Sequence, residues 1–284
     1  MVHEQIGVVT VTRGRPEPLR RAMASVRAQD YEGDIEHVIV VDDDPASVAA
    51  AEEVPSRPGL RVVCHSVPRP PAEADEPPGE RRFIYPRLSR LFNAGARRST
   101  AGWIAFLDDD NEYQPNHLSS LMSCAQSSGT PAVHSGRTLH RPDGAPFLDE
   151  VWHTAPDPAE GARIYELMCE RGVRVRGTNI LLDRADPVEV STLRPSSVFT
   201  ADDPVLLVDQ SVWLIRREVL MEFPIPDAFT DEDHQNNCAP DDKLLESLMR
   251  NGVAITSSGL PTVRYYLGGV SNNYQSTTVS VRNA

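Results

Sequence analysis

The chain has 284 residues, of which 40% are hydrophobic and 24% are charged, and its formal net charge is −13 with a pI near 5.0. This length supports one large domain or two modest ones, with a core that needs no disulfide bonds. The excess of acidic residues argues against a surface for nucleic acid or anionic lipid, because such a surface requires a basic field.

The cysteines and the apolar segments indicate a cytoplasmic protein. No two cysteines form a C-x-x-C pair, so we expect reduced thiols rather than a zinc site or a disulfide framework. A strand pattern begins close to the first residue without a preceding signal peptide. No apolar run approaches the roughly 20 residues of a membrane span, so no integral membrane segment is predicted. The four cysteines are Cys64, Cys124, Cys169 and Cys238.

Strand and helix patterns alternate in the first third of the chain. Short apolar runs rich in β-branched residues predict buried parallel strands, and the segments between them show helical spacing. One helix is predicted to begin at Pro16, since proline suits a first helical turn, and another to cover residues 88–96. This alternation predicts an α/β fold with a mostly parallel sheet flanked by helices. The predicted strands are residues 6–12, 36–41, 60–65 and 103–107.

The remaining segments predict loops and shorter elements. Residues 67–86 contain six prolines and predict a long surface loop. Polar residues dominate 141–160 and 227–240, which are also predicted to be loops, and residues 271–284 form a polar tail. The other predicted elements are helices at 114–126, 164–169 and 241–251, and strands at 132–135, 177–182 and 262–267.

Three adjacent carboxylates follow the strand pattern at residues 103–107. Asp108, Asp109 and Asp110 concentrate negative charge at the end of a buried strand, where it is stable only beside something positive. The carboxyl ends of parallel strands are where α/β sheets bind ligands. We therefore expect a site for Mg²⁺ or Mn²⁺ that carries phosphates. The alternative is a solvated acidic turn that opens a helix at Pro115.

Several ordered segments resemble one family. Together they cover most of the chain, in the order in which that family has them. On these segments the chain resembles a family 2 glycosyltransferase with the GT-A fold. The segments are residues 8–16 followed by Leu19 and Ser25, residues 29–31 with 36–43, residues 92–95 with 102–110, residues 213–220, and residues 240–242.

Four details depart from the family pattern. Asp44 stands where the family commonly has a small residue, and Asp241 with Asp242 replaces the usual Glu-Asp pair. The spacing between Asn93 and Gly102 is one residue longer than usual, and the last predicted strand has no histidine for a metal. These departures leave the expected fold unchanged.

The resemblance implies a metal-dependent inverting enzyme. It would move a sugar from a nucleoside-diphosphate sugar, with a UDP-sugar favoured, to a hydroxyl of a small-molecule or glycan acceptor. Residues 1–112 would form the nucleotide-sugar-binding half of a GT-A domain. Residues 113–270 would form the acceptor-binding half of the same domain.

The resemblance also implies roles for the strand-end acids. Asp108 and Asp110 form the DXD motif and would bind Mn²⁺ or Mg²⁺, with Asp110 the direct ligand. Asp109 would lie near the ribose or the donor sugar. Such a metal stabilises the charge that grows on the departing nucleoside diphosphate.

Five residues are expected around the nucleotide. Thr12 and Arg13 lie on the loop that wraps the nucleoside in the family. Asp43 resembles the acid that accepts a hydrogen bond from the nucleobase, and Asp42 is the alternative for that role. Arg87 matches a nucleotide-contacting position and suits bidentate phosphate binding; the alternative is an arginine on the helix surface.

An inverting transfer needs a base that takes the proton of the acceptor hydroxyl. Asp242 matches the family position, with Asp241 as the second choice, and helix capping is the alternative role. Trp213 is a weak candidate for the acceptor site, with a place in the core as its alternative. His234 is a further weak candidate, in a polar loop from which it could reach the metal.

Two other functions remain open from the sequence. A nucleotidyltransferase would share the layered sheet, the metal and the nucleotide, but the turn at residues 13–15 is only a faint version of its basic phosphate loop. A non-catalytic sugar- or nucleotide-binding protein on the same scaffold is the other alternative. The presence of Asp108, Asp110 and Asp242 argues against it.

Overall fold

The structure is a computed structural model that describes residues 4–73, 81–155, 157–189, 202–236 and 238–269. The expected polar tail at residues 271–284 lies outside these ranges. A sheet in the order β3-β2-β1-β4-β10-β6-β11-β5, with β7 paired to β6, runs through both halves of the chain.

The first four strands form the parallel part of the sheet. β1 pairs in parallel with β2 on one side and with β4 on the other, and β3 extends the sheet beyond β2. Every residue of β1 and β2 is buried, as expected for strands with helices on both faces. The predicted parallel arrangement is confirmed here. The strands are β1 (Ile6–Thr12), β2 (Ile35–Asp42), β3 (Leu60–Val67) and β4 (Trp103–Phe106).

Four helices accompany these strands. α1 and α2 each have a proline in the first turn, where the missing N–H has no cost. The Asp44 carboxylate caps α2 by accepting a hydrogen bond from the Ser47 N–H at 3.0 Å. Apolar periodicity did not predict α2, because only a capping residue marks this short segment. The helices are α1 (Pro16–Arg27), α2 (Pro45–Glu52), α3 (Arg81–Arg98) and α4 (His117–Ser128).

The predicted surface loop at residues 67–86 is partly wrong. β3 continues to Val67, and α3 begins at Arg81 with Pro86 inside the helix. The buried Tyr85 packs against Phe229, with 5.9 Å between ring centroids. This tertiary packing stabilises helical turns that the proline alone disfavours.

The second half of the sheet is mixed. β10 (Trp213–Arg216) lies antiparallel between β4 and β6, while β11 runs parallel to β6. The predicted α/β fold is therefore confirmed, but the sheet is mixed rather than mostly parallel, because β10, β5 and β7 pair antiparallel with their neighbours. The other strands are β5 (Glu112–Tyr113), β6 (Ala132–His140), β7 (Ile180–Leu181) and β11 (Ile255–Tyr266); β8 (Arg184–Ala185) and β9 (Leu206–Leu207) form a separate ribbon.

Helices begin inside two predicted loops. Asp157 caps α5, which begins at Pro158, inside the predicted loop 141–160. Thr230 and Asp233 form a capping box around α7, inside the predicted loop 227–240. No helix in the described ranges combines the length and apolar content that crossing a bilayer requires. The helices are α5 (Pro158–Glu170), α6 (Arg217–Glu222), α7 (Asp231–Gln235) and α8 (Pro240–Arg250).

Close packing of α3 on the sheet depends on a glycine. A Cβ atom on Gly95 would lie 2.3 Å from Cγ1 of Val9 and 3.0 Å from Cγ2 of Val40. Both valines are fully buried in the core. The helix therefore sits directly over β1 and β2 only because residue 95 has no side chain.

We expect Gly95→Ala to lower the free energy of unfolding by about 1–3 kcal/mol, since the added methyl overpacks the core. Urea unfolding measures the change. Gly102→Ala is the matched control, because its Cβ would approach nothing closer than 3.5 Å. An equal loss of stability in both variants would contradict this account of α3 packing.

Candidate active site

The carboxyl ends of three parallel strands meet at one edge of the sheet. β1 ends at Thr12, β2 at Asp42, and Asp108 follows shortly after the end of β4 at Phe106. Because the three strands are neighbours, the acids that the sequence predicts at strand ends share this edge. It is also the edge at which open α/β sheets bind ligands.

Asp109 anchors the loop after β1. Its side chain is only 1% exposed. The Thr12 hydroxyl donates to Oδ2 at 2.7 Å, and Nη2 of Arg15 lies 2.7 Å from Oδ1. Burial raises the pKa of Asp109 to about 7, although Arg15 acts in the opposite direction. Both carboxylate oxygens contact the protein itself, through Thr12 and Arg15.

Arg15 is a site residue that the sequence did not predict. Its Nη1 donates to Oδ2 of Asp110 at 2.6 Å, so one guanidinium bridges Asp109 and Asp110. Burial alone lowers the pKa of Arg15, but the charges of Asp110 and Asp109 outweigh it and raise the pKa. The only signal in the sequence was its place after Gly14, in the turn that opens α1.

Asp108 is held by residues other than Thr12 and Arg15. Its Oδ2 accepts hydrogen bonds from the Ser211 hydroxyl at 2.9 Å and from Nδ2 of Asn111 at 3.3 Å. Burial, followed by the charges of Asp209 and Asp110, raises the pKa of Asp108 well above its ordinary value. Additional positive charge at this position would stabilise the ionised form.

The donor set at the acids fits a hard divalent cation that arrives with phosphates. Asp108 and Asp110 offer carboxylate oxygens, the ligands that Mg²⁺ and Mn²⁺ prefer. Within the described residues, no group of three or more His, Cys, Asp or Glu side chains could hold a metal. Two protein carboxylates suffice where phosphate oxygens complete the coordination.

The structure distinguishes Asp42 from Asp43. Asp42 is buried, and its carboxylate accepts hydrogen bonds from Nη2 of Arg87 at 2.8 Å and Nη2 of Arg69 at 3.0 Å. Asp43 is exposed, with the left-handed φ of +50°. Arg87 also donates to the Pro68 carbonyl at 3.2 Å and is buried, so it is not an arginine of the helix surface.

The loops after β1 and β2 are tied together. The Asp44 carboxylate accepts a hydrogen bond from the Gly14 N–H at 2.9 Å while it caps α2. Gly14 has a φ of +67°, which glycine adopts without strain. Arg13 stands exposed beside it, whereas Thr12 is buried. The departure at Asp44 therefore fixes the loop on which Arg13 lies.

The two acids of α8 differ in their environments. Asp242 accepts a hydrogen bond from the Ala239 N–H at 2.8 Å, so the capping role occurs. Burial raises the pKa of Asp242 to about 6, against the effect of that hydrogen bond. Burial and the charges of Asp242 and Asp209 raise the pKa of Asp241 well above its ordinary value, and Asp108 adds to the effect. The start of α8 therefore lies within electrostatic reach of Asp108.

The weak acceptor candidates lie in different surroundings. Trp213 is 0% exposed, with its ring 5.5 Å from that of His134, so it belongs to the core and cannot stack on a sugar. His234 lies on α7 and stacks on Phe229, with 6.0 Å between ring centroids. The core alternative is therefore correct for Trp213.

A buried ion cluster behind the acids was not predicted. Arg137 of β6 lies between the carboxylates of Asp183 and Asp209, with Nη2 3.4 Å from Oδ1 of Asp183 and Nη1 in contact with Oδ2 of Asp209. Its guanidinium lies 4.7 Å from the ring centroid of Tyr265. The only signal in the sequence was the polar break at residues 209–211 within an apolar run.

The cluster predicts a pH dependence of stability. Burial raises the pKa of Asp183 to about 7, although Arg137 acts in the opposite direction. Between pH 8 and 6, Asp183 takes up a proton in the folded state, whereas in the unfolded chain it does so only near pH 4. Protonation of Asp183 therefore stabilises the folded state increasingly as the pH falls. The stability of wild type relative to Asp183→Asn should thus increase by about 1 kcal/mol from pH 8 to 6.

Urea unfolding of both proteins at the two pH values measures this difference. The exposed Asp143 provides the control, because Asp143→Asn should leave the pH dependence unchanged. A constant difference between wild type and Asp183→Asn would contradict the raised pKa.

Comparison with known proteins supports the fold. Residues 85–177 match the model of the family described as Glycosyl transferase family 2. The crystal structure of S. aureus TarS residues 1–349 has a TM-score of 0.53 and 12% identity, with 92% of this chain and 60% of that one covered. The TarS complex with UDP has a TM-score of 0.53 and 11% identity, with 93% of this chain and 61% of that one covered. The complex with UDP-GlcNAc has a TM-score of 0.52 and 11% identity, with 93% of this chain and 59% of that one covered. No curated protein matches the sequence significantly.

The structural similarity concerns the fold alone, because the identities are low. The chain also spans only about three fifths of the TarS fragment that it matches. The family match covers a segment that includes most of α3, β4 and the acids at 108–110. Residues 85–177 are therefore similar to glycosyltransferase family 2, and the described part of the chain has the α/β fold of TarS, as expected for a GT-A fold.

Proposed function

We propose that the protein is a metal-dependent, inverting glycosyltransferase that moves a sugar from a nucleoside-diphosphate sugar to an acceptor hydroxyl. One observation carries the proposal. Asp108 at the end of β4 lies close enough to the α8 acid Asp241 for its charge to help raise the pKa of Asp241, although 133 positions separate them in the chain. A donor site and a base must share one cleft for this chemistry.

The nucleotide-sugar donor is assigned to the edge formed by β1 and β2. Asp43 is the proposed hydrogen-bond partner of the nucleobase, since Asp42 already accepts hydrogen bonds from two arginines. Arg13 is exposed on the adjoining loop and is proposed to contact the nucleotide. A UDP-sugar is the favoured donor; TarS, which shares the fold, has been crystallised with UDP and with UDP-GlcNAc. Residues 1–112 are proposed as the nucleotide half and 113–270 as the acceptor half.

Asp108 and Asp110 are the residues proposed to hold Mn²⁺ or Mg²⁺. When bound, such an ion neutralises the charge that develops on the departing diphosphate. Arg15 already pairs with Asp110, so a cation has to compete with a guanidinium for that carboxylate. Phosphate oxygens add ligands and shift the balance towards the metal.

Asp242 is the proposed base. One of its oxygens is fixed by the Ala239 N–H, which leaves the other to take the proton of the acceptor hydroxyl. The hydroxyl oxygen attacks the anomeric carbon as the bond to the diphosphate breaks on the opposite face, so the configuration inverts. A pKa of about 6 keeps Asp242 ionised near neutral pH, whereas the raised pKa of Asp241 favours its protonated form.

Thermal unfolding with nucleotides tests the donor site. UDP, GDP, dTDP and ATP are each added with and without Mn²⁺. We expect one diphosphate with Mn²⁺ to stabilise the protein by about 2.7 kcal/mol at a hundredfold excess over Kd. Mn²⁺ alone should shift the midpoint little, because Arg15 already neutralises Asp110.

Asp110→Asn should abolish the metal-dependent part of that shift. Asp143→Asn, at an exposed position, is the control that should retain it. A shift with ATP alone would favour a nucleotidyltransferase, and no shift with any diphosphate would refute the donor site.

Two substitutions at position 242 separate catalysis from helix capping. Asp242→Asn keeps an oxygen that can accept the Ala239 N–H but cannot take a proton, so kcat should fall about 10²–10⁴-fold with stability retained. Asp242→Ala also removes the cap and should cost about 1 kcal/mol of stability. Product assays after the donor is identified, with urea unfolding, measure both effects.

The pH profile provides an independent check on the base. Wild-type kcat/KM should decrease as the pH falls through about 6, because protonated Asp242 cannot act as a base. If Asp241→Asn abolishes activity and Asp242→Asn does not, Asp241 is the base instead.

A further inference from the structure

We infer that Ser211 is a positioning residue that fixes the orientation of Asp108, and that Arg137 holds Ser211 in place through Asp209. This inference rests on the proposed function, in which Asp108 binds the metal. It assigns a role to a segment outside every motif that resembles the family.

The Ser211 hydroxyl makes all of its hydrogen bonds with Asp108 and Asn111. Its hydroxyl donates to Oδ2 of Asp108 at 2.9 Å, and accepts from the Asp108 N–H at 3.1 Å and from Nδ2 of Asn111 at 3.2 Å. A serine hydroxyl has one donor and two acceptor sites, so all three are occupied. Ser211 is also 0% exposed. It can therefore act on a ligand only through Asp108.

Asp209 fixes the backbone that carries Ser211. Oδ1 of Asp209 accepts a hydrogen bond from the Ser211 N–H at 2.9 Å and starts the short 3-10 turn Gln210–Val212. The Asp209 N–H donates to Oδ1 of Asp183 at 2.9 Å. Asp209 is thus bonded through both its backbone and its side chain, which leaves Ser211 little freedom to turn away.

Arg137 supplies the positive charge on which this arrangement depends. It contacts Oδ2 of Asp209 and lies 3.4 Å from Oδ1 of Asp183. Buried carboxylates are stable only with such compensation. β6 carries Arg137, and β10, which follows Ser211, pairs with both β6 and β4. The contacts therefore run from Arg137 through Asp209 and Ser211 to Asp108.

Residues that orient a metal ligand typically change metal affinity 10–100-fold when they are substituted. Removal of the Ser211 hydroxyl frees the Asp108 carboxylate to rotate and leaves its backbone N–H without that partner. We therefore expect Ser211→Ala to weaken Mn²⁺ binding 10–100-fold in the presence of the diphosphate that stabilises the wild type most.

Ser99→Ala is the matched control. Ser99 is also a buried serine whose hydroxyl donates to a carboxylate, at 2.6 Å from Oε2 of Glu36, but it lies at the opposite end of the strands. Both variants lose a comparable hydrogen bond, so both should lose similar stability in urea. Only Ser211→Ala should lose metal affinity. Electron paramagnetic resonance of free Mn²⁺ measures binding without reference to turnover.

Two further variants keep the inference testable if Ser211→Ala does not fold. Ser211→Thr retains the hydroxyl and should bind Mn²⁺ within about threefold of wild type. Arg137→Lys keeps the charge but loses the planar fork that faces two acids, and should weaken Mn²⁺ binding by a smaller factor than Ser211→Ala.

The outcomes separate this inference from the proposed function. Wild-type affinity in Ser211→Ala, or an equal loss in Ser99→Ala, overturns the role of Ser211 while the metal site stands. Absence of Mn²⁺ binding in the wild type with every diphosphate overturns the metal site, and the inference with it.

Discussion

The burial of many carboxylates at one edge of the sheet is the constraint on which the rest of this structure depends. An isolated buried carboxylate is costly, so each needs a cation or several hydrogen-bond donors. Arginines meet this need in three separate places. Arg87 with Arg69 compensates Asp42, Arg15 bridges Asp109 and Asp110, and Arg137 lies between Asp183 and Asp209. The central acids, Asp108 and Asp241, have no arginine within ion-pair distance among the described residues.

The reversed strand β10 is what brings the two halves of the cleft together. It pairs with β4, which leads into the DXD acids, and with β6, which carries Arg137. The segment just before β10 contains Asp209 and Ser211, so strand pairing places their contacts beside Asp108. A purely parallel sheet would need a long crossover to bring a strand between β4 and β6. The mixed topology therefore has a direct consequence for the site.

Much of the fold could be predicted, because local patterns determine it. β1 begins and ends where its apolar run does, and the acids at 108–110 lie at a strand end as expected. The missed features depend on partners distant in the chain: Arg15 pairs with Asp110 across 95 positions, and Arg137 with Asp209 across 72. Composition cannot show which of many arginines faces an acid. Likewise, no local sequence pattern shows whether Trp213 lies in the core or on the surface.

The charges of these buried acids affect both donor binding at Asp108 and proton removal at Asp242 in the proposed mechanism. In the ligand-free protein, burial and the charges of neighbouring acids raise the pKa of both Asp108 and Asp241 well above the ordinary value. Positive charge beside Asp108 favours its ionised form and offsets the repulsion that Asp108 exerts on α8. The charge of Asp209 raises the pKa of Asp242, but the hydrogen bond from the Ala239 N–H lowers it, and the result is about 6. Asp242 is therefore more readily ionised than Asp108 or Asp241. In the proposed mechanism the cation therefore acts on Asp108 and the departing diphosphate, while Asp242 is ionised near neutral pH without it.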